Sequence, residues 1–361
     1  MKRIAIMSIY DLQNIGNRLQ NYAAIKILSE YGEVKNIVSY YNNTESSFFC
    51  SPKAKLRKLI KMLADFKHKS LFKYIARLKR FCEFDKMINN TKQYGKNYKY
   101  EKLDKEYDYF FVGSDQIWNR WLFPTKAQIA FCGFAKSSKC VAFMPSICMN
   151  SVTEKQKIEF INYLKDYKAL SCRENNGSVL LSSMLGRKVE TLIDPTLLLS
   201  ASEWSAVAQK PNFHEPECRY ALVYFLGTRG ENINSYISKV ANRHNLKIVD
   251  LLDLGSDYYT CGPMEFIWLI ENCNIMFTDS FHGSVFSYIF NKPFKVFTRS
   301  NIGDKMNSRL ENLLTTLHIT SAESIDYDKV GDDLFDVNYD KTFLKIEQGK
   351  VKQFLNEAFN D

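Results

Sequence analysis

The chain lacks most of the signatures that would place it in a metal, redox or membrane-spanning class. Its nine cysteines, at positions 50, 82, 132, 140, 148, 172, 218, 261 and 273, make no CxxC or Cys/His spacing. Neither a metal site nor a redox motif is therefore expected. Several of them sit in apolar runs, where a reduced thiol serves as a small hydrophobe. No apolar run approaches the roughly 20 residues a membrane-spanning helix needs. Met1-Lys2-Arg3-Ile4-Ala5-Ile6-Met7 leads straight into a strand pattern, so no signal peptide and a cytoplasmic protein are expected. A Walker loop, HExxH, GxSxG and any internal repeat are also missing, and the first βα loop is not a GxGxxG fingerprint. No metal and no bound cofactor are expected.

What the chain does have is the composition of a globular α/β protein: 45% hydrophobic, 25% charged, with 26 Phe and 21 Tyr to fill a core. At 361 residues it exceeds what one core holds, so two domains are expected. The net charge of +9 is local. Lys53 to Arg80 holds eleven Lys/Arg against the single acid Asp65, leaving 38 basic and 39 acidic residues elsewhere. Leu56, Leu59, Ile60 and Leu63 share one helical face there, and Leu71, Phe72, Ile75, Leu78 and Phe81 a second. Basic amphipathic helices suit an anionic membrane surface, here the inner face of the cytoplasmic membrane. The plainer reading is a helical hairpin packed on its own domain. Nucleic acid is not expected, because interleaved exposed aromatics and a base-reading motif are both missing.

Strand and helix patterns alternate along the chain. Arg3–Ile9, Val34–Tyr40, Tyr107–Val112, Val141–Phe143 and Ala169–Ser171 read as strands of a first half, and Tyr220–Leu226, Ile248–Leu252, Asn274–Thr278 and Phe294–Phe297 as strands of a second. The Pro-containing stretch 210–216 has the composition of a linker. The expected fold is α/β: two Rossmann-like domains, 1–205 and 206–340, facing across a cleft as in GT-B proteins. A basic helical insertion at 52–90 interrupts the first, and a final helix within 341–361 can pack back on it.

Candidate site residues lie in the turns that follow strands, where open α/β sheets bind ligands. Asp279-Ser280-Phe281-His282-Gly283 joins a strand to a helix whose free N–H groups suit an anion. His282 adds a group that titrates near neutral pH, and Gly283 lets a ligand approach the backbone. An Asp/Ser helix cap beside an ordinary polar His fits the same residues. Asn17 and Gln20 follow the first strand. Asp115, Gln116, Trp118 and Asn119 follow the third, with polar groups for hydroxyls and an indole for a sugar face. Arg173 stands at a strand end beside a helix start, as a bidentate partner for phosphate or carboxylate or as half of a salt bridge.

Four stretches in this order resemble the polysaccharide pyruvyl transferase family: Gly16-Asn17-Arg18-Leu19-Gln20-Asn21-Tyr22-Ala23, Gly113-Ser114-Asp115-Gln116-Ile117-Trp118-Asn119, Asp194-Pro195-Thr196-Leu197-Leu198-Leu199 and Thr278-Asp279-Ser280-Phe281-His282-Gly283. The resemblance implies a GT-B-like fold and transfer of pyruvate from phosphoenolpyruvate onto two hydroxyls of a sugar as a cyclic ketal. The acceptor would be a sugar or lipid-linked oligosaccharide of a cell-surface polysaccharide. It implies His282 and Arg173 as catalytic residues. Ser280 and Gly283 would lie at the donor phosphate, and Asn17, Gln20, Asp115, Gln116, Trp118 and Asn119 on the acceptor side. Many members carry Arg-Leu-His where this chain has Ser280-Phe281-His282, so Arg299 is the candidate replacement cation for the donor. A glycosyltransferase using a sugar nucleotide and a non-catalytic glycan- or membrane-binding scaffold remain open alternatives.

Overall fold

The computed structural model describes residues 1–42, 68–118, 127–147, 149, 151–214, 218–298, 313–315, 317, 319, 335 and 337–360. Among these, ten strands form two sheets: β1 Lys2–Met7, β2 Gly32–Asn36, β3 Tyr109–Val112, β4 Cys140–Ala142, β5 Ala169–Cys172, β6 Glu190–Thr191, β7 Tyr220–Tyr224, β8 Lys247–Asp250, β9 Ile275–Thr278 and β10 Phe294–Val296. The longer helices are α1 Ile15–Leu28, α2 His68–Asp85, α3 Glu154–Leu164, α4 Asn175–Leu185, α5 Glu231–Arg243, α6 Pro263–Asn272, α7 Phe281–Ile289 and α8 Thr342–Phe359. The chain divides into two compact units, Met1–Ile60, Asp85–Leu198 and Leu344–Asp361 in the first, Lys61–Phe84 and Leu199–Phe343 in the second.

The first unit is built on a six-stranded parallel sheet of order β2-β1-β3-β4-β5-β6. Its central strands β1, β3 and β4 are short apolar runs, as strands buried on both faces are; Ile4, Ala5, Ile6 and Met7 are at most 1% exposed. Ile4 pairs with Val34 on one side and Tyr109 on the other. The sequence pattern starts the first helix at Gln20, but α1 begins at Ile15, because the Asn14 side chain caps it by accepting from the Asn17 N–H at 3.1 Å. A Thr153/Gln156 capping box opens α3, and left-handed Gly186 (φ 61°) closes α4. The last turns of α8 belong to this unit: Phe359 stacks on Tyr31 at 4.7 Å, and its carbonyl accepts from Lys2 Nζ at 2.7 Å.

The second unit holds a four-stranded parallel sheet of order β10-β9-β7-β8, with all five residues of β7 and all four of β9 buried. α2 packs two of its basic side chains here: Arg77 Nη1 donates to the Tyr259 and Cys261 carbonyls at 2.9 and 3.0 Å, and Arg80 pairs with buried Glu265. Phe72 is 70% exposed, and Ile75 and Lys79 are exposed beside it. The basic helical face of Leu56, Leu59, Ile60 and Leu63 lies outside the described residues. No described helix is long and apolar enough to cross a membrane.

Both sheets reverse their strand order once near the start. In the first unit β1 is followed by β2 on one side and by β3 on the other; in the second, β7 has β8 on one side and β9 on the other. Connections then leave the two neighbouring strand ends in opposite directions, opening a crevice at their carboxyl ends.

Candidate active site

In the first unit, the start of α1 and the turn after β3 flank this reversal and are hydrogen-bonded together. Asn17 Nδ2 donates to Asp115 Oδ2 at 2.8 Å, and Ser114 Oγ donates to Gln20 Oε1 at 2.6 Å. The Asn17 amide has one orientation available, since its Oδ1 accepts from Arg18 Nη2 at 2.6 Å, Arg18 Nε at 3.2 Å and the Asp11 N–H at 3.1 Å. Arg18 points inward, fully buried. It pairs with Asp85 at 3.0 Å, donates to the Ile9 carbonyl at 3.1 Å and lies 4.4 Å from the Tyr10 ring centre. Burial pulls its guanidinium below the ordinary arginine value, and the Asp85 carboxylate opposes that. Gly113 precedes this turn at φ 146°, where a Cβ would come within 1.9 Å of the Phe143 carbonyl oxygen.

Gln20 Nε2, Ser8 Oγ and Asn21 Oδ1 are buried with no hydrogen-bond partner among the described residues. Buried polar groups are nearly always paired; these three lie beneath the turn, closed off from solvent. Gln116 continues the Asp115 turn, its N–H donating to Asp115 Oδ1 at 2.8 Å. Trp118, read from the sequence as a sugar platform, is 1% exposed. Its ring stacks on Phe131 and its Nε1–H donates to the Ala130 carbonyl at 3.1 Å, so it anchors the turn from within the core. Asn119 lies outside the described residues.

Arg173 follows β5, two strands beyond β3. It is 9% exposed, with Nη1 2.6 Å from Asp194 Oδ2 and Nε 3.5 Å from Glu174. Asp194 Oδ1 in turn accepts from the Thr196 N–H and hydroxyl at 3.0 and 2.6 Å. The Asp-Pro-Thr stretch thus serves as the anchor of Arg173, a link that periodicity does not reveal because 21 residues separate the pair.

In the second unit, the turn after β9 forms the other reversal. Buried Asp279 accepts from the Leu226 and Gly227 N–H groups at 2.7 and 2.8 Å, tying the β9 turn to the loop after β7. Ser280 caps α7, its Oγ accepting from the Gly283 N–H at 3.4 Å. His282 is half-buried in the first turn of that helix, its ring centre 5.2 Å from that of Phe281. Gly283 has a packing reason: a Cβ would stand 2.6 Å from Thr278 Oγ1 and 3.0 Å from Met276 Cε, so only glycine lets α7 lie this close to β9. Arg299 lies outside the described residues.

Two parallel sheets, each with polar motif residues at its reversal, define an α/β protein of two Rossmann-like units with a GT-B-like fold. UDP-GlcNAc 2-epimerase from Neisseria meningitidis is similar with a TM-score of 0.55, at 11% identity over 99% of this chain and 100% of that one. The Methanocaldococcus jannaschii UDP-GlcNAc 2-epimerase (TM-score 0.45, 13% identity, 99% and 100% covered) and a glycotransferase of kitacinnamycin (0.38, 10%, 99% and 95%) are also similar. At such identities the likeness concerns the fold alone. No curated protein sequence matches. The family model for polysaccharide pyruvyl transferase matches residues 14–301, a span that holds all four motif stretches. The chain belongs to the polysaccharide pyruvyl transferase family, and is a transferase of polysaccharide biosynthesis.

Proposed function

We propose that the protein transfers pyruvate from phosphoenolpyruvate to two hydroxyls of one sugar in a cell-surface polysaccharide precursor, giving a cyclic ketal. The observation that carries this reading is the position of His282, in the first turn of α7 at the reversal between β7 and β9. A helix start there favours a phosphate, and an imidazole beside it can move a proton. Proton delivery to the methylene carbon turns the enol into a methyl group and leaves a cation at the carbon bearing the phosphate oxygen. A sugar hydroxyl attacks that carbon and gives up its proton. Loss of phosphate regenerates a cation, which the second hydroxyl captures. One hydroxyl proton replaces the proton delivered to carbon, and the other leaves with phosphate.

His282 is assigned the proton transfer, with Ser280 and the Gly283 N–H at the donor phosphate. The Gly283 bond to Ser280 is long at 3.4 Å, which leaves that N–H open to a better acceptor. Arg173, held by Asp194, is assigned to the donor's charge. Asn17, Gln20 and Asp115 are assigned to acceptor hydroxyls, with half-buried Asp115 the one that solvent reaches and buried Asn17 and Gln20 behind it. Exposed Phe72, Ile75 and Lys79 on α2 support peripheral docking on an anionic inner leaflet, where a lipid-linked acceptor would be met. The GT-B-like fold also fits a glycosyltransferase drawing on a sugar nucleotide. Phosphate release from phosphoenolpyruvate in the presence of acceptor, lost in both His282→Ala and Arg173→Ala, tests the assignment; unchanged turnover in both variants overturns it.

A further inference from the structure

The second unit has a cavity that the proposed chemistry does not use. It measures about 600 Å³ and is lined by Phe225, Arg229, Ile237, Ile248, Asp250 and Leu252, within the range of roughly 300–1,000 Å³ usual for small-molecule sites. It lies beyond the carboxyl ends of β7 and β8, whereas the His282 turn follows β9 on the other side of β7. The inference therefore stands apart from the phosphoenolpyruvate reading.

The chemistry of the lining follows from the β7–α5–β8 unit. Gly230 caps α5, and Asp250, twenty residues later, is the last residue of β8. In nucleotide-binding βαβ units an acid at that strand end, about 20 residues beyond the glycine turn, accepts from the ribose hydroxyls. The Asp250 carboxylate is fixed in place by two donors, since Oδ2 accepts from Arg229 Nη2 and Oδ1 accepts from the Leu252 N–H at 2.9 Å. Each carboxylate oxygen has two acceptor positions, so two vicinal hydroxyls can still be bound. Phe225, Ile237, Ile248 and Leu252 give the same cavity apolar walls, and Ile248 is 43% exposed on the edge strand of the sheet.

The phosphate half of a nucleotide-binding unit is already occupied by protein. The Leu226 and Gly227 N–H groups donate to the Asp279 carboxylate, Arg229 is paired with Asp250, and Glu231 stands in the first turn of α5. A phosphate arriving there would meet a carboxylate in its place and a second acid beside the helix start. What remains is an end that offers the arginine-paired Asp250 carboxylate to a diol and apolar walls to a flat ring.

We propose that this cavity binds a ribonucleoside moiety, with the ribose 2′- and 3′-hydroxyls on Asp250 and the base against Ile248 and Leu252. A neutral sugar with adjacent cis-hydroxyls shares the diol chemistry, so the test has an arm for each. The full-length protein is titrated by ligand-observed NMR with adenosine, guanosine, cytidine and uridine up to about 10 mM, with their 2′-deoxy counterparts, and with methyl α-D-mannopyranoside. The expected result is saturable binding of at least one ribonucleoside. Its 2′-deoxy form should bind at least about tenfold more weakly, the loss of one hydrogen bond to a charged acceptor. Asp250→Asn should weaken binding about as much. Ser238→Trp, an exposed position on α5 beside the cavity, should abolish it with an unchanged melting temperature. Binding of no ribonucleoside, equal binding of the deoxy form, binding of the mannoside alone, or binding undisturbed by a folded Ser238→Trp protein would each overturn the proposal.

Discussion

Asn17 donates to Asp115 across the strand reversal of the first unit, at 2.8 Å, from residues 98 positions apart. The bond joins the first turn of α1 to the turn after β3, and its direction is fixed because Arg18 and the Asp11 N–H hold the other end of the Asn17 amide. Two of the four motif stretches are thereby one piece of structure.

That piece is expected to behave cooperatively. In a double-mutant cycle of Asn17→Ala and Asp115→Ala, urea unfolding should give a coupling energy of about 0.5–3 kcal/mol, the usual range for residues in one hydrogen-bonded network. Additive effects would separate the two turns. Asp85→Ala should destabilise further, because it leaves buried Arg18 without its carboxylate.

His282 and Gly283 are adjacent, yet they are expected to fail differently. Gly283→Ala places a methyl group 2.6 Å from Thr278 Oγ1 and should cost about 1–3 kcal/mol of stability by overpacking. His282→Ala should leave the unfolding midpoint nearly unchanged while removing turnover. Thermal unfolding of both variants, read beside activity, separates the packing role from the chemical one.

For Arg173 the ion pair with Asp194 predicts a stability cost of its own. Arg173→Ala leaves an uncompensated buried carboxylate, for about 3–5 kcal/mol. The double variant Arg173→Met/Asp194→Leu should recover much of that in denaturant unfolding but none of the activity. Recovery of activity together with stability would make Arg173 purely structural.

Thiol labelling checks the packing independently. Burial pushes the Cys140, Cys261 and Cys273 thiols up to about 12, and those of Cys132 and Cys172 well above the ordinary value. A raised value keeps the thiol protonated and unreactive below it. At pH 8 the folded protein should therefore alkylate at exposed Cys82 and half-buried Cys218 and spare these five, as read by peptide mass mapping. Raising the pH towards 12 should increase their reactivity; rapid labelling of Cys140 at pH 8 would contradict the packing around it.

The exposed face of α2 yields a membrane test. Phe72→Ser/Ile75→Ser/Lys79→Glu should weaken co-sedimentation with phosphatidylserine-containing vesicles at low salt, since each basic residue near such a surface contributes about 1 kcal/mol. Equal binding by the variant would remove this face from the interaction.

Much of the fold is legible in the sequence because parallel strands buried on both faces are continuous apolar runs, and the motifs beginning at Gly113 and Thr278 stand at the ends of two such runs, β3 and β9. The pairings between motifs are not legible there. Periodicity reports local geometry, whereas Arg18 meets Asp85 across 67 positions and Asp279 reaches Leu226 across 53. Trp118 illustrates the same limit: an indole in a polar turn reads as a sugar platform, and only the position of Phe131 reveals it as core. Gly283 reads from the sequence as room for a ligand; that it also makes room for β9 is visible only in the packing.

The most direct measurement is a thermal-shift and calorimetric titration of the full-length protein with phosphoenolpyruvate, set against UDP-, ADP- and dTDP-sugars. Saturable stabilisation by phosphoenolpyruvate, lost in a His282→Ala protein that keeps its own melting temperature, is the expected result. Stabilisation by a sugar nucleotide that is lost in the same variant, with no response to phosphoenolpyruvate, would contradict the assignment of the donor.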